Sequence, residues 1–341
     1  MTRTPEYFAL SVKDKIDALE AAASNLGRPA DLLEKDIWVV WALNALFESE
    51  VGDHLVFKGG TSLSKVYKAI DRFSEDVDVT YDIRQIIPDL ISDPASPYPS
   101  SRSQAKKWTE TVRERLSGLI ETDIVPVLAA RIKSEKLSAS LRQENEQLYL
   151  DYKAVRGGSG YVRPAVLLEF GARSTGEPDK RHQVTCDLAE GVEGLVLPVA
   201  RPRVMIAERT FWEKATAIHA YCLRGAFRGG DRYARHWYDL DCLDQIGIAQ
   251  SAFDDRALAA AVAEHKQHFF RENDKDGDVI DYAAAVSGSL CLVPPEEPLE
   301  ALAHDYRKMI DAGLLRTDAI DFSDLMERLA DLQSRANATV K

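Results

Sequence analysis

The stretch FKGGTSLSKVYKAIDRFSEDVDV, which begins at Phe57, constrains the fold of this chain more than any other. An apolar run enters two glycines, a helical pattern follows, and a valine-rich strand then carries Asp76 and Asp78. Side chains two residues apart on a strand point to the same side, so the two carboxylates share one face. Carboxylates held together repel each other, so we expect a positive group beside them.

The residue types in this stretch suit a nucleoside triphosphate and a divalent cation. Hard cations such as Mg²⁺ bind one or two carboxylates together with substrate phosphates, and paired ions serve in-line phosphoryl transfer. Two glycines allow a ligand to approach the backbone, and the next residues stand where a helix start favours an anion. The stretch therefore predicts a phosphate anchor followed by a metal-binding pair of aspartates. For the aspartates alone, a solvated face of an edge strand is the alternative.

A two-metal site usually takes a third carboxylate from another strand. Glu169, in RPAVLLEFGAR, is the candidate, because an acid inside an apolar strand is costly to bury unless it is paired or bound to metal. The alternative is a salt bridge from Glu169 to Arg173 or to a neighbouring strand.

Periodicity divides the chain into a mixed core and a helical remainder. Apolar residues at three-to-four spacing predict N-terminal helices, and strand patterns in HLVFK, EDVDVTYD, QLYLDYKAV, RPAVLLEFGAR and RHQVTCDLA predict a small mixed sheet. A proline- and serine-rich patch opens a charged helical insertion at about 84–146, and the pattern after 205 is helical again. We therefore predict an α+β fold with domains at 1–205 and 206–341.

Composition is that of a soluble protein, which we expect in the cytoplasm. The N-terminal residues lack the apolar core of a signal peptide, no apolar stretch is long enough to span a bilayer, and the cysteines are scattered singly. A net charge of −12 opposes nucleic-acid binding overall. Two stretches are nevertheless locally basic, and each is either a solvated surface or part of a groove for a polyanion. Their basic residues are Lys106, Lys107 and Arg113, and Arg228, Arg232 and Arg235.

Six segments, in this order, resemble the AbiEii/AbiGii toxin family: LLEKDIWVVWAL, FKGGTSLSKVY, RFSEDVDV, LLEFGAR, AERTFWEKATAIHA and RHWYDL. The resemblance spans roughly residues 30 to 245. It implies the nucleotidyltransferase fold of the DNA polymerase β superfamily, with a helical insertion, N-terminal helices and a C-terminal helical domain. It also implies a metal-dependent enzyme, using Mg²⁺ or Mn²⁺, that acts as a toxin in a type IV toxin–antitoxin or phage-defence system.

The resemblance implies roles for individual residues as well. Lys214 would bring positive charge to the triphosphate, or would otherwise be a surface lysine, and Asp239 would orient Lys214 or a basic group of the substrate. His236 stands where many family members have an acidic residue, a departure that leaves Arg235 and Asp239 in register. The implied metal ligands are Asp76, Asp78 and Glu169, and the implied nucleotide-binding residues are Gly59, Gly60, Thr61, Ser62, Lys65 and Lys214.

The implied reaction transfers a nucleoside monophosphate from an NTP to an acceptor hydroxyl, such as the 3′ end of tRNA, and releases pyrophosphate. The implied protein partner is a cognate antitoxin encoded nearby, and no membrane partner is expected. Three alternatives stay open: an enzyme that transfers AMP to a protein hydroxyl, a kinase-like toxin, and a nucleotide-binding module without turnover.

Overall fold

A computed structural model describes residues 5–74, 76–156, 163–225, 227, 232–315 and 319–338. The chain divides into two compact units. The sheet unit comprises Met1–Val66, Glu75–Leu90 and Glu110–Val204, and the helical unit comprises Tyr67–Ser74, Ile91–Thr109 and Met205–Lys341. A boundary between residues 205 and 206 thus leaves out two short segments that cluster with the helical unit. The functional division of the chain at that boundary stays a prediction.

The first part of the chain alternates helices with short strands. A π-helical segment, Ile120–Ile124, joins two of these helices. In chain order the elements are α1 (Val12–Leu26), α2 (Ala30–Phe47), β1 (Leu55–Lys58), α3 (Gly59–Lys65), β2 (Val77–Asp82), α4 (Ile83–Ile86), α5 (Arg102–Leu119), α6 (Val125–Ser134), β3 (Ala139–Glu144), β4 (Gln147–Tyr152), β5 (Ala165–Ser174), β6 (Asp179–Arg181), β7 (Val184–Thr185), β8 (Val199–Ala200) and β9 (Arg203–Met205).

Seven of these strands form one mixed sheet in the order β3-β4-β5-β2-β1-β9-β6. β2 runs antiparallel to β1 and parallel to β5, while β4 runs antiparallel to both β3 and β5. A separate antiparallel pair joins β7 and β8. The predicted α+β fold with a mixed sheet core is confirmed.

One face of the sheet is apolar and buried. Val77 and Val79 on β2, and Leu168 and Phe170 on β5, are buried, whereas the residues between them are less so. Helix α2 packs against β5 and is buried all round from Leu33 to Phe47, as expected for a helix without a polar face. The opposite face of the sheet is the one that carries Asp78 and Glu169.

The helical insertion is shorter than the predicted 84–146. Its helices end with α6 at Ser134, and residues 139–144 form the edge strand β3 instead. β3 reads ASLRQE, whose charged and polar side chains suit an exposed edge strand but give no apolar alternation to recognise. The β3–β4 turn contains Asn145 with φ of 54°, a left-handed conformation that asparagine tolerates.

The helical unit has its own aromatic core. Trp212, Phe211 and Phe253 pack edge to face, and the Trp212 indole donates to the Ala252 carbonyl at 2.9 Å. The Trp237 indole donates to the Leu292 carbonyl at 2.8 Å. The remaining helices are α7 (Ala207–Arg224), α8 (Ala234–Gln245), α9 (Ile248–Asp254), α10 (Arg256–Phe269), α11 (Tyr282–Ala284), α12 (Glu296–Asp311) and α13 (Phe322–Ala338).

Candidate active site

The turn that joins β1 to α3 requires glycine at its first position. Gly59 has a φ of +76°, in the region that L side chains rarely adopt. A Cβ atom on Gly59 would lie 2.0 Å from Oδ2 and 2.7 Å from Cγ of Asp78. The missing side chain therefore leaves the space in which the Asp78 carboxylate lies against the turn.

The hydroxyls that follow these glycines are engaged within the protein. Thr61 donates a hydrogen bond to the carbonyl of Asp76, and Ser62 donates to the carbonyl of Gly59 at 2.9 Å. Both side chains are buried. They hold the turn and the segment that enters β2, so the predicted contribution of this turn to phosphate binding falls on backbone N–H groups.

Strand register brings two of the predicted carboxylates, Asp78 and Glu169, together on one face. Asp78 is the direct partner of Glu169 in the parallel pair β2–β5, and of Lys58 in the antiparallel pair β1–β2. Glu169 in turn is opposite Gln147 on β4. Residues opposite each other in a ladder point to the same side. We call the side that carries Lys58, Asp78, Glu169 and Gln147 the site face; Asp76 immediately precedes β2.

Glu169 lies beside Asp78, but it is not buried in its apolar strand as we expected. Glu169 is exposed, so there is no burial cost for a partner or a metal to offset. It accepts a hydrogen bond from Nε2 of Gln147 at 3.3 Å. Its place in the site therefore rests on the register with Asp78 and on this hydrogen bond.

The residue types of Asp76 and Asp78 fit a hard divalent cation. Both would supply carboxylate oxygens, and Mg²⁺ typically binds through one or two carboxylates while substrate phosphates and water complete its shell. Among the residues that the structure describes, no three His, Cys, Asp or Glu side chains form a group able to hold a metal by themselves.

Lys65 is paired with two carboxylates inside the sheet unit. Its ammonium group is buried and donates to Asp36 at 2.6 Å and to Asp187 at 2.7 Å. Arg28 also pairs with Asp187, at 2.7 Å, and the Asp187 N–H donates to Asp36 at 2.6 Å. Burial lowers the pKa of Lys65, but the two aspartates outweigh burial and raise that pKa above its usual value. Lys65 therefore anchors α3 through an ion cluster that we call the Lys65 cluster, and the nucleotide-binding role implied for it stays a prediction.

Lys214 and Asp239 meet in the helical unit. Nζ of Lys214 lies 2.8 Å from Oδ2 of Asp239, which is fully buried. Arg72 binds the same carboxylate through two hydrogen bonds, of 2.6 and 2.8 Å. Burial raises the pKa of Asp239, yet Arg72 and Lys214 outweigh it and hold that pKa well below its usual range. The predicted surface alternative for Lys214 is wrong, because this side chain is buried and paired.

His236 completes this group, which we call the Lys214 cluster. Its Nδ1 lies 3.5 Å from Nζ of Lys214. Burial, followed by the charges of Lys214 and Arg235, lowers the pKa of His236 well below its usual value. Burial also lowers the pKa of Lys214, despite Asp239. The histidine is therefore neutral near pH 7 and gives Lys214 no counter-charge.

The sequence profile of the family described as nucleotidyl transferase AbiEii toxin, Type IV TA system, matches residues 41–328, which is most of the chain. This chain belongs to the AbiEii family. The predicted family and the predicted nucleotidyltransferase activity are confirmed, and membership implies a nucleotide substrate and an antitoxin partner. Nucleotidyltransferases of this kind generally use a divalent metal.

Two solved structures from Helicobacter pylori are similar to this AbiEii chain over most of their length. JHP933 is 15% identical with a TM-score of 0.42, covering 89% of this chain and 90% of its own. A protein described as a candidate nucleotidyltransferase is 14% identical with a TM-score of 0.41, covering 89% of this chain and 93% of its own. No curated protein matches the sequence. No helix among the described residues is long and apolar enough to cross a membrane.

Arg72, Asp36 and Asp187 of this AbiEii protein were not among the site residues predicted from the sequence. Arg72 opens the RFSEDVDV segment, and Asp36 lies in LLEKDIWVVWAL, so both stand inside segments that carry the family resemblance. A charge inside such a segment could have marked them. Asp187 lies outside those segments, and nothing in its surroundings gave a signal.

The predicted basic stretches are only partly described. Lys106, Lys107 and Arg113 are exposed on α5, and Arg113 pairs with Glu146 at 3.0 Å. Arg232 is exposed and Arg235 is half-buried, whereas Arg228 lies outside the described residues. The groove that these stretches were expected to form stays a prediction.

Proposed function

We propose that this AbiEii enzyme transfers a nucleoside monophosphate from an NTP to an acceptor hydroxyl, with the 3′ end of tRNA as the acceptor, in a reaction that depends on Mg²⁺ or Mn²⁺. The supporting observation is the register of Asp78 and Glu169 on adjacent strands, beside a turn that only glycine can form. In this proposal residues 1–205 carry the transfer chemistry, and 206–341 contribute Lys214 and Asp239.

In the proposed reaction the acceptor oxygen forms a bond to the α-phosphorus while the bond to the β-phosphate oxygen breaks, so that pyrophosphate leaves. Asp76 and Asp78 would hold the cation, which would neutralise charge on the phosphate oxygens. Glu169 takes the proton of the acceptor hydroxyl, since an acceptor can reach an exposed carboxylate. A role for Glu169 as a third metal ligand stays a prediction.

The triphosphate is assigned to two groups of donors. Backbone N–H groups at Gly59 and Gly60 face the β- and γ-phosphates at the start of α3, as the family resemblance implies. Lys214, held by Asp239, adds positive charge that stabilises the leaving pyrophosphate. Asp239 thus acts through Lys214 and Arg72, not on the nucleotide itself.

An RNA acceptor suits the charge distribution of the chain. A protein with a net charge of −12 can bind a polyanion only where its positive charge is concentrated. The exposed side chains of Lys106, Lys107, Arg113 and Arg232 belong to that charge. We propose that the protein is the toxin half of a type IV or phage-defence locus, neutralised by an antitoxin.

The metal assignment is tested by Asp76→Asn and Asp78→Asn, with Asp82→Asn as the matched control. Asp82 lies on the same strand but pairs with Arg84 at 2.6 Å. We expect both site variants to lose incorporation of labelled NTP into tRNA while melting like the wild type, and the control to stay active. Turnover at the wild-type rate in either site variant would refute the assignment.

The acceptor is tested by offering total tRNA and total protein with each labelled NTP in turn. We expect label on RNA, falling steeply as salt rises, and less of it in the double variant Lys106→Glu and Lys107→Glu. The control makes the same charge change at the exposed residues Lys13 and Lys133. Label on protein alone would replace the tRNA proposal with protein modification.

A further inference from the structure

The β3–β4 hairpin, which the sequence pattern did not predict, extends the site face beyond Glu169. Gln147 lies opposite Glu169, and Tyr149 lies opposite both Leu167 on β5 and Arg142 on β3. Because these residues occupy alternate positions of β4, Gln147 and Tyr149 point to the same side as Glu169. The hairpin therefore places an amide and a phenol next to the proposed base.

Hydrogen bonds join these side chains into a relay. The Tyr149 hydroxyl donates to Oε1 of Gln147 at 3.1 Å, and Nε2 of Gln147 donates to Oε1 of Glu169 at 3.3 Å. An ionised carboxylate only accepts hydrogen bonds, so the Gln147 amide must turn its nitrogen to Glu169 and its oxygen to Tyr149. The guanidinium of Arg142 lies over the Tyr149 ring, 4.1 Å from its centroid, and holds the ring in place.

We propose that Gln147 and Tyr149 are positioning residues for Glu169 in the transfer reaction, an inference that rests on the proposed function of Glu169 as the base. The exposed side chain of Glu169 can adopt several rotamers, so a contact is needed to hold it in one of them. The bond from Gln147 holds Oε1, which leaves Oε2 to accept the proton of the acceptor hydroxyl. Tyr149 acts one step further away, by fixing which way the amide points.

The surrounding charges are mixed in sign and come from every neighbouring strand. Asp78 on β2 lies directly opposite Glu169, and Lys58 on β1 lies beyond Asp78. Arg173 shares β5 with Glu169, and Glu144 on β3 lies opposite Gln147. The Gln147 amide is the hydrogen-bond donor that the structure places on Oε1 of Glu169.

The experiment compares Gln147→Leu and Tyr149→Phe with Gln143→Leu as the matched control. Gln143 lies on the same hairpin, but it pairs with Leu148 and donates to the Ser117 carbonyl at 2.9 Å, away from the site face. We expect Gln147→Leu to lower kcat roughly five- to tenfold with little change in the KM for NTP, and Tyr149→Phe to lower kcat roughly twofold. Gln143→Leu should keep the wild-type kcat.

A further variant separates positioning from folding. In Gln147→Glu the new side chain can donate to Glu169 only when it is protonated, so its kcat relative to that of Gln147→Leu should rise as the pH falls from 8 towards 5.5. A constant ratio, or equal kcat in Gln147→Leu and Gln143→Leu, overturns the positioning role while the proposed function stands. A wild-type protein that transfers no nucleotide to any acceptor overturns both.

Discussion

Replacing Lys65 with methionine distinguishes a structural lysine from a nucleotide-binding one. The side chain of Lys65 is 5% exposed and contacts two carboxylates at 2.6 and 2.7 Å. In Lys65→Met, Asp187 keeps Arg28, whereas Asp36 keeps the N–H of Asp187 but loses its cation. One buried negative charge is then without a counter-charge. Loss of one partner of a buried pair costs about 3–5 kcal/mol, so we expect the free energy of unfolding to fall by that amount.

The same reasoning gives the sign of the pH dependence. Burial raises the pKa of Asp36, and Lys65 opposes that rise. Without Lys65 the folded variant holds a proton on Asp36 that the unfolded chain has released. The variant is therefore more stable at low pH and loses stability as the pH rises. The deficit of Lys65→Met should therefore shrink between pH 8 and pH 5.5. Adding Asp36→Asn, which removes the uncompensated charge, should restore part of the lost stability at pH 8.

Thermal and urea unfolding of the sheet unit measure these effects. At about 2–4 °C per kcal/mol for a unit of this size, Lys65→Met should lower its melting temperature by about 10 °C. Arg156→Met is the control, because Arg156 and its partner Glu20 are 60% and 50% exposed, and such pairs contribute at most about 1 kcal/mol. A variant that melts like the wild type but no longer uses NTP would refute our reasoning and return Lys65 to the nucleotide site.

Three further predictions concern single positions. Gly59→Ala should lower transfer about 100-fold, because its Cβ would displace the Asp78 carboxylate, whereas Gly171→Ala, which meets nothing within 4 Å, should leave kcat unchanged. Asp239→Asn leaves Arg72 and Lys214 without their carboxylate, and we expect urea unfolding to show that it destabilises the helical unit by about 3–5 kcal/mol. The control is Asp244→Asn, whose more exposed pair with Arg335 should cost about 1 kcal/mol or less. Burial lowers the pKa of His219 to about 4. The free energy of unfolding should therefore fall by about 3 kcal/mol as the pH falls from about 6.5 towards 4. Urea unfolding of His219→Gln should not show this loss.

Local patterns predicted the part of the fold that contains the glycine turn. β1, α3 and β2 follow from a short apolar run, a pair of glycines and an alternating strand, all within 28 residues from Leu55 to Asp82. α7 begins at Ala207, close to the predicted start of the helical remainder. β3 was missed because a polar edge strand lacks the alternation by which strands are recognised.

The partners of the charged groups could not be predicted in the same way. Lys65 binds residues that are 29 and 122 positions away in sequence, and Arg72 binds one 167 positions away. Such pairs depend on which elements pack together, and a single sequence does not specify that. The strand that carries Glu169 was predicted, but the surroundings of this residue were not. Its exposure and its hydrogen bond to Gln147 depend on the register between β5 and β4, which lies earlier in the chain.

Charge balance distinguishes Lys65, which we assign a structural role, from Lys214, our candidate for binding the triphosphate. In the Lys65 cluster, two cations face two carboxylates, so the group is neutral without any ligand. In the Lys214 cluster, Arg72 and Lys214 share the single carboxylate of Asp239, and the neutral His236 adds no negative charge. The surplus positive charge is why the pKa of Lys214, lowered by burial, is not restored by Asp239. An anion such as a triphosphate would supply the missing charge, which supports our assignment of Lys214, and not Lys65, to the nucleotide.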